Sequence, residues 1–236
     1  MRIALVLTTS VLVAGCSVVP AGKPGPTELT PITPSRTVGT TTAPSATTRA
    51  PSSSRTSSAS ISAPGVGDSA AAAIAWVEAG PPTDDADFRV ALRGGSSTPL
   101  GEDTAFTTPS GIRCMTDAKR DAGGLACLVD LINPPPQPAD VYGAWKGGWV
   151  DFNGSSVRVG SAHGDPGRFA VGSGAPLPQG NSLSFGDFRC RADVTTLVCV
   201  NYASKTGVRY SDDGITAYGC TRQNPPAAGV GEQYSC

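Results

Sequence analysis

Gly111-Ile112-Arg113-Cys114-Met115-Thr116-Asp117, followed after a short gap by Leu125-Ala126-Cys127-Leu128-Val129, is the stretch that decides the fold. It returns later as Asp187-Phe188-Arg189-Cys190-Arg191-Ala192-Asp193 and Leu197-Val198-Cys199-Val200-Asn201. Each copy reads apolar-Arg-Cys-x-x-Asp, a turn of variable length, then Leu-x-Cys-aliphatic. Short β-forming runs on either side of turn residues are the pattern of a hairpin, with residues 121–124 near the first tip and 193–196 at the second. Two cysteines facing each other across antiparallel strands can close into a disulfide with acceptable geometry. The repeat therefore predicts Cys114–Cys127 and Cys190–Cys199, leaving Cys220–Cys236 to pin the C-terminal tail.

The surrounding sequence agrees with a chain of short strands. Trp149-Val150-Asp151-Phe152 and Val157-Arg158-Val159 flank Asn153-Gly154, a strong hairpin signal. Val208-Arg209-Tyr210 and Ile215-Thr216-Ala217-Tyr218 flank Asp212-Asp213-Gly214 in the same way. One helix is predicted over residues 69–79, capped by Asp68 or Ser69 and stopped by Gly80, Pro81 and Pro82. Pro134-Pro135-Pro136-Gln137-Pro138 reads as a rigid crossing between the repeat halves, with a polyproline ligand for a partner as the other reading. The expected fold class is mainly β: a small disulfide-stapled sandwich or barrel built from two related cystine hairpins, with one short N-terminal helix.

Ahead of this domain the composition changes twice. Behind Arg2, residues 3–14 are apolar apart from Thr8, Thr9 and Ser10. As a helix this run would rise about 18 Å, short of the ~20 residues that span a bilayer. It has the shape of a signal peptide over residues 1–15, and Leu12-Val13-Ala14-Gly15-Cys16 resembles a bacterial lipobox. Small residues let the chain lie extended in a protease groove, and the Cys16 thiol accepts the diacylglyceryl group, with acyl chains such as palmitate. Each buried CH₂ is worth ~0.8 kcal/mol, so two or more chains hold the protein essentially permanently.

Residues 16–66 are the lipidated cysteine and a tether. From residue 17 onward, 28 of 50 positions are Ser, Thr or Pro. Such a segment buries too little apolar surface to offset its ordering entropy and is expected to be disordered, either as a plain spacer or as an O-glycosylated stalk. It would reach roughly 40 Å as a coil and ~150 Å fully extended. Residues 67–236 have globular composition and enough length for one core.

Removing Arg2, Lys23, Arg36, Arg49, Arg55 and Glu28 from the chain's 18 basic and 19 acidic residues leaves 13 against 18 in the domain. That sign argues against a nucleic-acid partner. With Cys16 lipidated, an even six of the seven cysteines remain, as a disulfide framework in an exported chain requires. There is no C-x-x-C and the only histidine is His163, so no metal site and no cofactor are predicted.

Catalytic signals are sparse. His163 is the single candidate base, in Ser161-Ala162-His163-Gly164-Asp165-Pro166-Gly167, and no serine has a G-x-S-x-G setting. Asp151-x-Asn153-Gly154 lacks the further ligands of a calcium loop. Trp145 and Trp149 are the weak candidates for ligand binding: exposed, they could stack on sugars or a partner. Buried, they anchor the core, the reading their apolar area favours.

The lipobox, the tether and a cysteine-stapled domain entered by Thr107-Thr108-Pro109-Ser110-Gly111-Ile112-Arg113-Cys114 together resemble the lipoproteins of mycobacteria and other actinobacteria. The resemblance implies location more than mechanism: lipid-anchored, on the extracytoplasmic face of the cell membrane. The function expected is a non-enzymatic binding or scaffolding domain, its partner a cell-wall polymer or another envelope protein. An envelope hydrolase using His163 and Asp165, and a carrier of a small molecule or lipid, are the alternatives. Replacing Cys16 with Ala should release the protein from membranes into the soluble fraction, and thiol titration of the mature protein should find no free cysteine.

Overall fold

The computed structural model describes residues 62–162 and 166–236. Cys16, the signal peptide, most of the tether, and His163 and Asp165 lie outside the described residues. The strands are β1 (Val90–Arg93), β2 (Ser96–Pro99), β3 (Ala105–Thr107), β4 (Arg113–Thr116), β5 (Leu125–Leu128), β6 (Trp145–Phe152), β7 (Ser156–Ala162) and β8 (Ala175–Pro176). They continue as β9 (Ser182–Phe185), β10 (Phe188–Ala192), β11 (Leu197–Asn201), β12 (Thr206–Ser211), β13 (Gly214–Tyr218), β14 (Arg222–Asn224) and β15 (Val230–Ser235). An eight-stranded sheet has the order β14-β15-β7-β6-β5-β4-β3-β8, and a five-stranded sheet the order β13-β12-β11-β10-β9. Both sheets are open, and the β1–β2 hairpin stands apart.

The two cystine hairpins are β4–β5 and β10–β11. Cys114 pairs directly with Cys127, and Cys190 with Cys199, in antiparallel register. Disulfides join both pairs, and a third joins Cys220 to Cys236. The four hairpin cysteines are buried in one core with Phe152, Val157 and Val159 of the larger sheet and Leu183, Phe188 and Tyr210 of the smaller. The larger and smaller sheets thus meet face to face as a sandwich filled by side chains, rather than closing as the alternative barrel. Closing loops of this size is worth ~3 kcal/mol per bridge in the chain-entropy description.

Each sheet is covered on its outer side too. Helix α1 (Ala70–Glu78) starts where the Ser69 side chain accepts the Ala72 N–H at 3.1 Å, and it ends before Gly80 and Pro81. Its Ala73, Trp76 and Val77 pack on Val198, Val200 and Tyr218, which explains why β11 is buried on both faces. Arg191 stacks its guanidinium 4.3 Å from the Trp76 ring centre and donates to the Trp76 carbonyl at 2.7 Å. Ala63 packs against the same cluster and the Pro64 carbonyl accepts from Tyr218 Oη at 2.8 Å, so the docked chain begins ahead of residue 67. Burial is the main reason that the Tyr218 phenol is pushed up to about 12. On the other side, Ala105, Met115, Ala126 and Trp149 are covered by Ala91 of β1 and by Phe169 of a 3-10 turn, Gly167–Val171.

The first hairpin departs from a simple turn. Asp117 accepts the Arg120 N–H and starts one helical turn, α2 (Ala118–Asp121), which Ala122 and Gly123 close at φ 55° and 81°. The second tip is the expected four-residue turn, with the Asp193 N–H donating to the Thr196 carbonyl at 2.7 Å. The Asn153-Gly154 connection is held by Asn153 Oδ1, which accepts the backbone N–H groups of Ser155 and Ser156.

The proline crossing is docked on the protein's own surface. Pro135 is buried and its carbonyl accepts from Trp145 Nε1 at 3.0 Å. It lies over glycines of three adjacent strands, Gly147, Gly160 and Gly231, where Cβ atoms would collide with Pro134, Trp145 or Pro135. Gly231 has no positive φ, so its constraint is steric: an added Cβ would sit 2.7 Å from Pro135 Cβ. Gly231→Ala should therefore destabilise the fold by about 1–3 kcal/mol, as overpacking does, read as a lower midpoint in chemical denaturation.

Candidate functional site

Along β6 the alternation that sends Val150 and Phe152 into the core sends Trp149 and Asp151 to the outer face. Across the hairpin, Arg158 of β7 stands directly opposite Asp151. The α2 tip brings Asp121 and Gly124 to the same place, and the 3-10 turn brings Arg168. Together with Asn153 and Ser156 these residues line a cavity of about 410 Å³. That volume lies within the ~300–1,000 Å³ usual for small-molecule sites.

Arg168 is the fixed point of this cavity. Phe169, next along the turn, meets the Trp149 ring edge-on at 5.3 Å and so seats the turn on the sheet. The Arg168 side chain is 10% exposed; its guanidinium donates to the carbonyls of Met115 and Gly124 at 3.1 and 2.9 Å and is ion-paired with Asp121. The other Asp121 oxygen, Oδ1, is buried and has no hydrogen-bond partner. Asp151 accepts from Trp149 Nε1 at 2.9 Å. Arg158 is exposed at the rim. Burial, and then the Asp151 charge, push the Tyr210 phenol far above its ordinary range, so that group is a neutral hydroxyl in the core.

The lining holds two guanidinium groups, two carboxylates, an amide and an indole edge. Such a lining suits a polar ligand with both donor and acceptor groups. Ser156 Oγ is spent on Asn153 Oδ1 at 3.1 Å, inside the turn. Among the described residues no three acidic, histidine or cysteine side chains converge to hold a metal ion.

Of the residues singled out from sequence, Trp149 is 2% exposed and contributes only the cavity's floor, while Trp145 is half-buried against Pro135. His163 and Asp165 lie outside the described residues. Asp121, Asp151, Arg158 and Arg168 carry the site's charge, and the sequence reading assigned none of them to a site. The strand alternation on either side of Asn153-Gly154 could have placed Asp151 and Arg158 on one face. Nothing local marks Arg168, which reaches Asp121 from 47 residues away.

No known protein family, no curated protein and no solved structure matches this chain. Arg168→Met should cost about 2–3 kcal/mol in chemical denaturation, because it strands the Asp121 carboxylate and two backbone carbonyls. Adding Asp121→Asn should recover part of that loss by removing the uncompensated charge.

Proposed function

We propose that this chain is an exported lipoprotein, held on the extracytoplasmic face of a membrane by lipid on Cys16, whose β domain binds a polar fragment of the cell envelope. The three disulfides support this, since such bonds form and persist in oxidising compartments. The observation that carries the binding reading is the cavity around Arg168, where paired guanidinium and carboxylate groups from four separate segments line one depression. A cell-wall glycan with its attached peptide presents hydroxyl, amide and carboxylate groups, all of which this lining can complement. Arg158, exposed at the rim, recruits the carboxylate, while buried Arg168 holds the shape.

Isothermal titration of full-length protein in detergent with soluble peptidoglycan fragments tests the reading. Arg158→Ala should weaken binding by roughly tenfold, the effect of ~1.4 kcal/mol, without lowering the melting temperature. Equal affinity of the two proteins, or no binding by either, would overturn the assignment of this cavity. Cleavage of the fragments during the titration would favour the hydrolase reading instead.

A further inference from the structure

The three disulfides occupy unlike settings. Cys114, Cys127, Cys190 and Cys199 are at most 1% exposed, sealed in the core between the two sheets. Cys220 and Cys236 are both exposed. The difference follows from position. The hairpin pairs project from strand faces that the opposite sheet covers, whereas Cys220 sits between β13 and β14 and Cys236 follows β15. A disulfide is opened by a thiolate that reaches one of its sulfurs, so access sets this bridge apart from the other two.

The surroundings of the exposed bridge also favour one direction of opening. Arg222 donates from one guanidinium nitrogen to the carbonyls of Gly219 and Thr221, at 3.0 and 2.9 Å. These residues flank Cys220, so the guanidinium is held beside it, and it has no ion-pair partner among the described residues. A neighbouring cation stabilises a thiolate, and a more stable thiolate leaves faster in disulfide exchange. Cys220 is therefore the better leaving group and Cys236 the sulfur to be attacked.

Both sides of the bridge are anchored without it. Tyr218 stays in the cluster beneath α1, and the Thr221 Oγ1 hydroxyl donates to the Tyr218 carbonyl at 3.3 Å. β15 is paired with β7 from Val230 to Ser235, and the Cys236 N–H donates to the Ser155 carbonyl at 3.1 Å. Opening the strap leaves the two buried cystines and both sheets in place, and it leaves the two thiols close enough to rejoin.

We infer that the Cys220–Cys236 bridge is a thiol-exchange site at which a low-molecular-mass thiol becomes joined to Cys236. The attacking thiolate forms a new S–S bond with Cys236 Sγ as the bond to Cys220 breaks, and the electron pair of that bond leaves on Cys220 as thiolate. One disulfide is consumed and one is formed, so the step uses no further oxidant or reductant. The Cys220 thiolate then takes a proton from water, or attacks the adduct to restore the strap and expel the thiol. This modification site shares no residue with the Arg168 cavity and does not depend on what that cavity binds.

The test is incubation of full-length protein in detergent micelles with reduced glutathione, stopped by acid, labelled with a maleimide and mapped by peptide mass spectrometry. Glutathione is expected on Cys236 and maleimide on Cys220, with the hairpin cysteines unlabelled and the circular dichroism spectrum unchanged. Exchange here should run at least about tenfold faster than at either hairpin bridge, and Arg222→Gln should slow it roughly threefold. The inference fails if no adduct forms while the fold is intact, or if the hairpin cysteines react as fast. Glutathione on Cys220 with the free thiol on Cys236, or an Arg222→Gln protein that exchanges at the unaltered rate, would overturn the assigned direction.

Discussion

A directly opposed cystine fixes the register of the two strands it joins, and here it does so once in each wall of the core. Strand side chains alternate with a period of two, so a slip by one residue would exchange the buried and solvent faces of the whole strand. With Cys114 locked opposite Cys127, Leu125 faces the core and Met115 and Ala126 face outward. With Cys190 locked opposite Cys199, Phe188 and Ala192 face inward while Arg189 and Arg191 face the helix side. Everything laid on the outer faces depends on that choice.

The consequences run outward from the two sheets. Because Trp149 shares the outer face with Ala126, Phe169 has a ring to pack against, and that contact brings Arg168 over the β4–β5 tip. Because Arg191 projects from the outer face of β10, it can bind the Trp76 carbonyl and ring and hold α1 in place. Polar groups in these outer layers are largely paired. Among the described residues four buried side-chain polar atoms lack a partner, and two of them, Asp121 Oδ1 and Thr104 Oγ1, belong to residues that line cavities on the two sides of one helical tip.

Local patterns in the sequence carried most of the fold. The cysteine repeat marked two hairpins, the Ser69 and Gly80-Pro81 signals bounded α1, and Asn153-Gly154 marked the β6–β7 connection. These features act between residues close in the chain, where spacing alone is informative. One departure was local: Asp117, by accepting the Arg120 N–H three residues on, turned the first hairpin tip into a helix. The rest of what escaped was set by distant partners. The proline crossing proved to be a packed element because glycines on three other strands leave room for it, and no spacing rule links Pro135 to Gly231. The cavity residues escaped for the same reason, since Arg168 and Asp121 are 47 residues apart in the chain and are brought together only by the packing of other elements.

The docking of Pro64 has a mechanical consequence. A pull on the chain ahead of Ser62 enters the domain at the Pro64 carbonyl and its bond to Tyr218, at the end of β13, and through α1 beside it. Two residues beyond Tyr218, Cys220 is covalently joined to Cys236 at the close of the larger sheet. Traction at the amino-terminal side is thus delivered next to a covalent strap shared by both walls of the sandwich.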